Sequence, residues 1–262
     1  MEYHKLEEEI FNEWISRSTK NNDGDSSVFV PDGLLCRGPI EYSDSGYWWR
    51  NSGNEEELWD KAPKRILILT KDLNDKEPWD IREETGRKNH SGEGNIIIST
   101  LFYKNYMRLV FGLLNIDKYG VSPKFEEIND STIYQPFFDS VPIVRVNCKK
   151  QVGANSIPTP ILERYMESYK DLLLKQISFY DADIIVCCGG SSSIKNFIQN
   201  NYIDDLKKIN NWIYYSEPMN KAVIDSYHLS YHFISEKQLY SDFMKNYNQF
   251  LKQYPNFIRA NR

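Results

Sequence analysis

Short apolar runs that each end in polar residues recur along the chain, and they constrain its fold more than any other feature. Four of them lie at residues 64–75, 141–150, 182–193 and 221–230, as in KRILILTKDLND and ADIIVCCGGSSS. Wholly apolar strands separated by helical segments are typical of a parallel sheet that is covered on both faces. The sequence therefore predicts an α/β fold, a three-layer sandwich around a central four-stranded, mainly parallel sheet.

Amphipathic patterns around these runs predict the helices. Leu6, Ile10 and Trp14 fall on one face of a helix over residues 3–17. Thr159 and Pro160 suit the first turn of a helix that continues to residue 180. Further helices are predicted at 95–114, at 191–202 and from 235 to about 254, and one more strand is predicted at 212–216.

The N-terminal quarter of the chain has a different character. Residues 28–63 are rich in aromatic residues, Gly and Asn, which predicts a packed irregular segment with one edge strand. We find no repeat, low-complexity tract or linker after it. We therefore expect a single domain, in which a lead-in over residues 1–63 packs on an α/β domain over residues 64–262.

The overall charge and hydropathy narrow the class of protein. The net charge is −5 at pH 7, which argues against a protein that coats nucleic acid without specificity. No stretch approaches the roughly 18 consecutive apolar residues that a membrane span needs. The acidic start MEYHKLEEEIF does not resemble a signal peptide. We expect a soluble, cytoplasmic protein, monomeric and without a membrane partner.

The four cysteines carry no motif. Cys36, Cys148, Cys187 and Cys188 include no CxxC pair, and the last two lie inside an apolar run. A zinc site or an iron–sulfur cluster can be recognised in a sequence only when its ligands have a motif-like spacing. The sequence therefore predicts buried, reduced thiols and no metal site.

Polar residues follow each apolar run, at 72–75, 147–150, 189–193 and 228–232. In parallel α/β sheets the carboxyl ends of the strands meet at one edge, and ligands bind there. We therefore expect a carboxylate (Asp72), an amide (Asn147), a glycine–serine turn and an imidazole (His228) at one rim. Each residue alone also has a plain structural interpretation, as a turn, a helix cap or a satisfied core group.

These residue types suit bond cleavage at a base. Asp72 can act as a general base or stabilise a developing cation, and His228 can donate a hydrogen bond to a departing anion. The Asn147 amide offers an acceptor and donors to a base edge. The turn from Gly189 to Ser193 leads into a helix, whose N-terminus favours anions, but it lacks the lysine and spacing of a nucleotide P-loop. A tight strand-to-helix turn explains it equally well.

The order of these motifs resembles the uracil-DNA glycosylase superfamily over roughly residues 64–234. LTKDLND (69–75) places Asp72 at the position of the family's water-activating Asp, and Asn147 matches the family's base-pairing Asn. His228, Leu229 and Ser230 match its His-Pro-Ser motif. Leu73 and Asn74 replace the Pro-Tyr that shapes the family's pocket, so a pyrimidine other than uracil is also a candidate substrate. The chain most resembles a divergent bacterial branch of the family, which also has a long N-terminal lead-in and a loop like DIREETGR (80–87).

The resemblance implies a glycosylase that flips a base out of DNA and hydrolyses its N-glycosidic bond, in repair or antiviral defence. It implies double- or single-stranded DNA as the partner and requires no metal or cofactor. The residues fall into four implied roles: catalysis by Asp72 and His228, base binding by Asn74, Asn147, Trp79 and Phe102, backbone binding by Lys149, Lys150, Gly190, Ser191, Ser192 and Ser230, and a DNA wedge at Tyr231 or His232.

Two other functions remain open from the sequence. The first is a catalytically silent nucleic-acid-binding protein on the same fold, whose DNA affinity would survive loss of Asp72. The second is a small-molecule hydrolase that uses Asp72 and His228. This second function has less support because the chain lacks a nucleophile motif such as GxSxG.

Overall fold

A computed structural model describes residues 1–87, 100–153, 157–189 and 191–259. Its strands are β1 (Gly33–Leu34), β2 (Ile40–Tyr42), β3 (Tyr47–Arg50), β4 (Ile66–Thr70), β5 (Leu73–Asn74), β6 (Gly86–Arg87), β7 (Val144–Asn147), β8 (Val152–Gly153), β9 (Ile184–Cys188), β10 (Lys207–Lys208), β11 (Ile213–Ser216) and β12 (Lys221–Ser226). Its α-helices are α1 (Tyr3–Lys20), α2 (Glu55–Lys61), α3 (Leu101–Leu114), α4 (Phe125–Ile128), α5 (Ser131–Ser140), α6 (Thr159–Ser168), α7 (Lys170–Tyr180), α8 (Ser193–Asn201), α9 (Glu236–Gln253) and α10 (Asn256–Arg259), and a 3₁₀ turn covers Ile81–Glu83.

A mixed, mostly parallel sheet forms the centre of the molecule. Its seven strands follow the order β1-β7-β4-β9-β12-β11-β10. The middle four, β7, β4, β9 and β12, are parallel to one another. At the edges, β1 pairs antiparallel with β7, β11 with β12, and β10 with β11. The four predicted runs are thus the parallel centre. The sheet is larger than the four strands that the sequence predicts, because β1, β10 and β11 extend it at both edges.

Helices cover both faces of this sheet, which explains why its central strands are wholly apolar. In β4, Ile66 and Ile68 contribute to one buried cluster with residues of α3, α5 and α9. Leu67 and Leu69 point to the other face, into a cluster with residues of α1, α6, α7 and α8. All five residues of β4 and all five of β9 are buried. The α/β class predicted from the sequence is therefore confirmed.

The strand order fixes where a ligand site can form. The chain passes from β4 to β7 on one side and then returns across β4 to β9 on the other side. Between β4 and β9 the winding direction reverses, and open α/β sheets bind ligands in the crevice beyond the carboxyl ends of strands at such a point. The residues after Thr70 and Cys188 follow the two strands at this switch point.

The N-terminal lead-in has more regular structure than its composition predicts. The predicted first helix is confirmed and continues to Lys20. β1 is the predicted edge strand and pairs with β7. However, β2 and β3 form a separate small sheet with β6, and α2 follows them. Aromatic residues such as Trp48 and Trp59, both buried, take part in the core.

Two other segments differ from the sequence-based expectation. The predicted helix over residues 160–180 is divided at Tyr169 into α6 and α7. The region between α3 and β7, for which no element is predicted, contains α4 and α5. Of the predicted helix at 95–114, residues 95–99 lie outside the described part of the chain, and α3 begins at Leu101. No helix among the described residues has both the length and the apolarity to cross a membrane.

Candidate active site

Gly189 marks the place where three strand ends meet. It follows β9 and has a φ of +84°, a backbone conformation that favours glycine. A methyl group at this position would lie 3.1 Å from Lys71 Cε and 3.1 Å from His228 Cβ. Lys71 follows β4 and His228 follows β12, so the close approach at Gly189 brings the ends of these strands together as the sequence predicts.

Asp72 lies on the rim at the end of β4. Its Oδ2 is so close to Gly153 that a methyl group on Gly153 would stand 2.3 Å away. The short parallel pairing of Leu73 and Asn74 with Val152 and Gly153 creates this contact. Burial raises the pKa of the Asp72 carboxyl above its ordinary value, and the positive charges of Lys149 and Lys71 partly oppose the rise.

Lys149 belongs to the surroundings of Asp72, but its ammonium group is turned towards the backbone. Its Nζ donates to the carbonyl oxygens of Gln151 at 2.9 Å and Val152 at 3.1 Å. Burial lowers the pKa of Lys149, and attraction to Asp72 opposes that shift. Burial thus outweighs the mutual attraction for both groups. Lys149 stabilises the loop beside Asp72, and these two bonds do not direct it towards a DNA phosphate.

Asn147 ends β7 and is fully buried. Its backbone N–H donates to Asp32 Oδ2 at 2.7 Å, and its Oδ1 accepts a hydrogen bond from the Thr70 hydroxyl at the end of β4. Its Nδ2 has no hydrogen-bond partner within the described part of the chain. Buried polar groups are nearly always paired, so this unpaired amide donor at the end of β7 is suited to an acceptor such as a base carbonyl.

Lys150 does not fit the phosphate-binding role implied by the resemblance. Its side chain is 0% exposed, and its Nζ binds both carboxylate oxygens of Asp32 at 2.5 and 2.6 Å. It also lies over the Trp14 ring at 5.1 Å. Burial raises the pKa of Asp32 and lowers that of Lys150. The prediction for Lys150 is wrong, because the fold uses this lysine to fix Asp32, which in turn holds the backbone of Asn147.

His228 has a defined tautomer. The backbone N–H of Ser230 points at Nδ1 from 3.3 Å, and the Ser230 hydroxyl lies 2.7 Å from the same nitrogen. A backbone N–H can only donate, so Nδ1 is an acceptor and the neutral ring carries its proton on Nε2. Burial, with the charges of Lys71 and Arg145, lowers the pKa of His228 to about 4. A neutral imidazole therefore presents an N–H donor at neutral pH.

Residues of α3 support the His228 loop. Asn105 Nδ2 donates to the carbonyl of Leu229 at 2.7 Å and so fixes the backbone of the His-Leu-Ser segment. The Phe102 ring lies 5.7 Å from the His228 ring, measured between centroids. Phe102 is therefore placed as a neighbour of the imidazole. The other aromatic candidate, Trp79, packs partly buried against the core.

Arg145 is a residue near His228 that the sequence did not predict. It lies in β7 two residues before Asn147, is 6% exposed, and its guanidinium stands 4.5 Å from the centre of the Phe102 ring. One of its Nη atoms also reaches the Tyr103 hydroxyl at 3.4 Å. Its positive charge helps to lower the pKa of His228. In the sequence, Arg145 is a single cation within the apolar run VPIVRVN. A charge in a buried strand needs a partner, so this residue could have been recognised as a candidate.

The loop after His228 carries three aromatic rings in succession, of which Tyr231 is half-buried and His232 and Phe233 are exposed. Tyr231 stacks on Tyr227 with centroids 4.8 Å apart and an interplanar angle of 6°. Phe233 is 75% exposed and contacts both Tyr231 and His232. The sequence predicts Tyr231 or His232 as a wedge in DNA, but Phe233 is the more exposed apolar ring of this loop.

The remaining predicted residues lie in the turn after β9 and on β5. Ser191 and Ser192 have positive φ values of 50° and 67°, and the Ser192 hydroxyl donates to Asp225. That hydroxyl therefore already has a negatively charged partner. Asn74 is exposed on β5. Gly190 lies outside the described residues, so its predicted role in binding the DNA backbone cannot be compared with the structure.

Comparisons with known proteins add no assignment. No family model matches this sequence, and a search of curated proteins finds no significant match. A functional assignment must therefore come from the residues and geometry described above.

Proposed function

We propose that this protein is a DNA glycosylase that hydrolyses the N-glycosidic bond of a pyrimidine flipped out of DNA. The motif order of the sequence supports this function, and so does the chemistry of the groups near the crevice. A carboxylate with a raised pKa, an unpaired amide donor and a neutral imidazole with a free N–H are the groups that base removal needs.

The observation that carries the proposal is the meeting of strand ends at Gly189. A side chain as small as a methyl group there would touch both Lys71 and His228. The residue after Lys71 is Asp72, and Asn147 bonds to Thr70 one residue before Lys71. These contacts hold the ends of β4, β7, β9 and β12 together at one edge of the sheet, and we infer that this edge receives the base.

Each group has a distinct task in the proposed reaction. The bond from the sugar C1′ to the base nitrogen breaks, and its electron pair leaves with the base. His228 Nε2–H donates to the resulting anion, as donors aimed at developing charge do in other enzymes. Asp72 stabilises the sugar cation and accepts a proton from the water that adds to C1′. The base anion then takes a proton from solvent.

The first motif favours a modified pyrimidine as the substrate. Leu73, which is buried, and Asn74, which is exposed, take the positions at which the uracil-DNA glycosylase superfamily has the Pro-Tyr of its pocket. A bulky tyrosine is therefore absent from the sequence position that would limit the size of the base. Excision of modified bases from foreign DNA is the biological role that this difference suggests, and repair of uracil is the alternative within the same chemistry.

A gel assay on defined oligonucleotides tests the proposal. Single- and double-stranded DNA carrying uracil, hydroxymethylcytosine or glucosylated hydroxymethylcytosine is incubated with the protein and then cleaved at abasic sites with alkali. We expect cleavage of at least one substrate by wild type and by the Asp75→Asn variant, whose carboxylate is exposed, but not by Asp72→Asn. Absence of abasic sites on every substrate would contradict the proposal.

A catalytically silent DNA-binding protein is the second candidate, and the exposed rings of Tyr227 and Phe233 favour it. Bases stack on such rings without regard to chemistry. This function predicts that wild type and Asp72→Asn bind DNA equally while neither releases a base. Base release by wild type alone would exclude it.

A further inference from the structure

His4, Cys36 and Glu55 come together from three separate segments of the lead-in. His4 lies in the first turn of α1, Cys36 follows β1, and Glu55 begins α2. One imidazole nitrogen, the thiol sulfur and one carboxylate oxygen all lie within 4.8 Å of one another. Because the three residues are far apart in sequence, motif spacing gives no sign of this cluster.

The His4 ring is oriented as in a metal-binding histidine. Its Nδ1 lies 2.8 Å from Glu7 Oε2, and its Nε2 lies 2.8 Å from Glu55 Oε1. Glu7 is fully buried and also accepts hydrogen bonds from Arg82 and Tyr180. Metal-ligating histidines typically donate their second N–H to a carboxylate held in this way. Nε2 then faces the other two members of the cluster.

The Glu55 carboxylate is also held in place by hydrogen bonds to one of its oxygens. Its Oε2 accepts the backbone N–H groups of Arg37 at 2.9 Å and Gly53 at 2.7 Å. Oε1 therefore remains for a ligand on the side of His4 and Cys36. The non-ligating atoms of both His4 and Glu55 are held by other groups, as expected for the supporting shell of a metal site.

Cys36 distinguishes this cluster from a simple ion pair. A protonated histidine held between Glu7 and Glu55 has both of its N–H groups hydrogen-bonded and needs no thiol beside it. Yet Cys36 is only 5% exposed and lies beside the two, with the Ser52 hydroxyl 3.8 Å from its Sγ. Nitrogen, thiolate and carboxylate together are the donor set of Zn²⁺, at about 2.0–2.3 Å from the ion. The two ligand charges balance the charge of the ion.

The geometry points to a zinc site formed by His4 Nε2, Cys36 Sγ and Glu55 Oε1, with water at the fourth position. An ion can enter on the side of His4, whose side chain is 24% exposed. A bound zinc ion would join α1, the segment after β1 and α2, and so fasten the lead-in to the sheet. The thiol proton and the proton on Nε2 are released to solvent when the ion binds.

Metal titrations of the full-length protein test this site without any glycosylase assay. Protein stripped of metal is titrated with Zn²⁺ in the presence of a competing chelator, and with Co²⁺ while its absorption spectrum is recorded. We expect one equivalent of Zn²⁺ to bind and Co²⁺ to give a thiolate-to-cobalt charge-transfer band. Cys36→Ala removes the band and weakens binding by more than about tenfold. Cys187→Ala, which removes a buried thiol elsewhere, retains both.

His4→Gln provides a second variant if Cys36→Ala does not fold. It should weaken Zn²⁺ binding by a similar factor but keep the cobalt–thiolate band, because Cys36 is still present. The inference is overturned if wild type binds no stoichiometric Zn²⁺ at micromolar free concentration. It is also overturned if the band persists in folded Cys36→Ala. Neither outcome bears on base excision.

Discussion

The carboxylate of Asp72 lies directly against the backbone of Gly153, with no space for a side chain between them. A methyl group on Gly153 would stand 2.3 Å from Asp72 Oδ2. The carboxylate is therefore positioned by the pairing of β5 with β8 and not only by its own place after β4. This relationship allows the position of Asp72 to be changed without replacing Asp72.

Gly153→Ala should displace the Asp72 carboxylate and slow base release by about 10²-fold, since a 1 Å misplacement of a catalytic group has an effect of that size. Asp72→Asn should slow it by about 10²- to 10⁴-fold. Single-turnover rates on the best substrate measure both effects. Circular dichroism confirms the fold of each variant. Wild-type rates in a folded Gly153→Ala variant would show that this contact does not position the reacting carboxylate.

The pH dependence of the rate separates Asp72 from His228. Asp72 must be ionised to accept a proton, and burial raises its pKa. We therefore expect the rate to fall as the pH drops through a value above the ordinary 3.8 of an Asp carboxyl. His228, with a pKa of about 4, stays neutral at pH 5 to 8 and adds no loss of rate there. A rate that rises as the pH falls from 8 to 6 would indicate a protonated His228 instead.

His228 also links folding stability to pH. Its pKa falls from 6.5 in the unfolded chain to about 4 in the fold, so the unfolded state binds the proton more readily. The contribution of His228 to stability is intact above pH 6.5 and decreases as the pH falls towards 4. Urea unfolding between pH 4 and 7 should show a weaker pH dependence in His228→Gln than in wild type. Equal slopes would contradict the lowered pKa.

Lys150 distinguishes a structural role from DNA binding. Removing one partner of a buried ion pair leaves an uncompensated charge, so Lys150→Met should lower the free energy of unfolding by about 3–5 kcal/mol. Asp32→Asn combined with Lys150→Met should recover part of this loss. Urea unfolding measures both. The salt dependence of DNA affinity should stay the same in the folded double variant. A reduced dependence would restore Lys150 as a phosphate contact.

Asn147 should influence the choice of base more than the rate on the best base. Its unpaired Nδ2 is a donor, and Asn147→Ala removes it together with the acceptor that Thr70 uses. We expect the ratio of kcat/KM between two competing bases to change by about 10-fold or more, the range for one hydrogen bond to a substrate. Competition assays with two substrates in one reaction measure this ratio. An unchanged ratio would exclude Asn147 from base selection.

The sequence was sufficient for the centre of the fold because its strands are buried on both faces. β4 and β9 read as continuous apolar runs, and their positions follow directly from that. β1 and β10 have only two residues each, and such short edge strands depend on their partners and not on a local pattern. α4 has only four residues and α5 contains Pro136, so neither shows a clear helical pattern in the sequence.

The candidate site could be predicted from the sequence only where its residues stand at the ends of strands. Asp72, Asn147 and His228 each come shortly after a recognisable strand. The role of Lys150 depends on Asp32, which lies 118 residues away, so the place of this lysine after a strand gives no sign that it is buried in an ion pair. The supporting contacts of Gly153 with Asp72 and of Asn105 with Leu229 are likewise tertiary, and no local sequence pattern specifies them.

Mass spectrometry of bases released from DNA tests the central claim most directly. Genomic DNA carrying different natural and modified pyrimidines is incubated with wild type and with Asp72→Asn, and the free bases are identified. We predict that wild type releases one pyrimidine class and that Asp72→Asn, which still binds DNA, releases none. If folded wild type binds DNA and releases no base from any of these substrates, the protein is not a glycosylase.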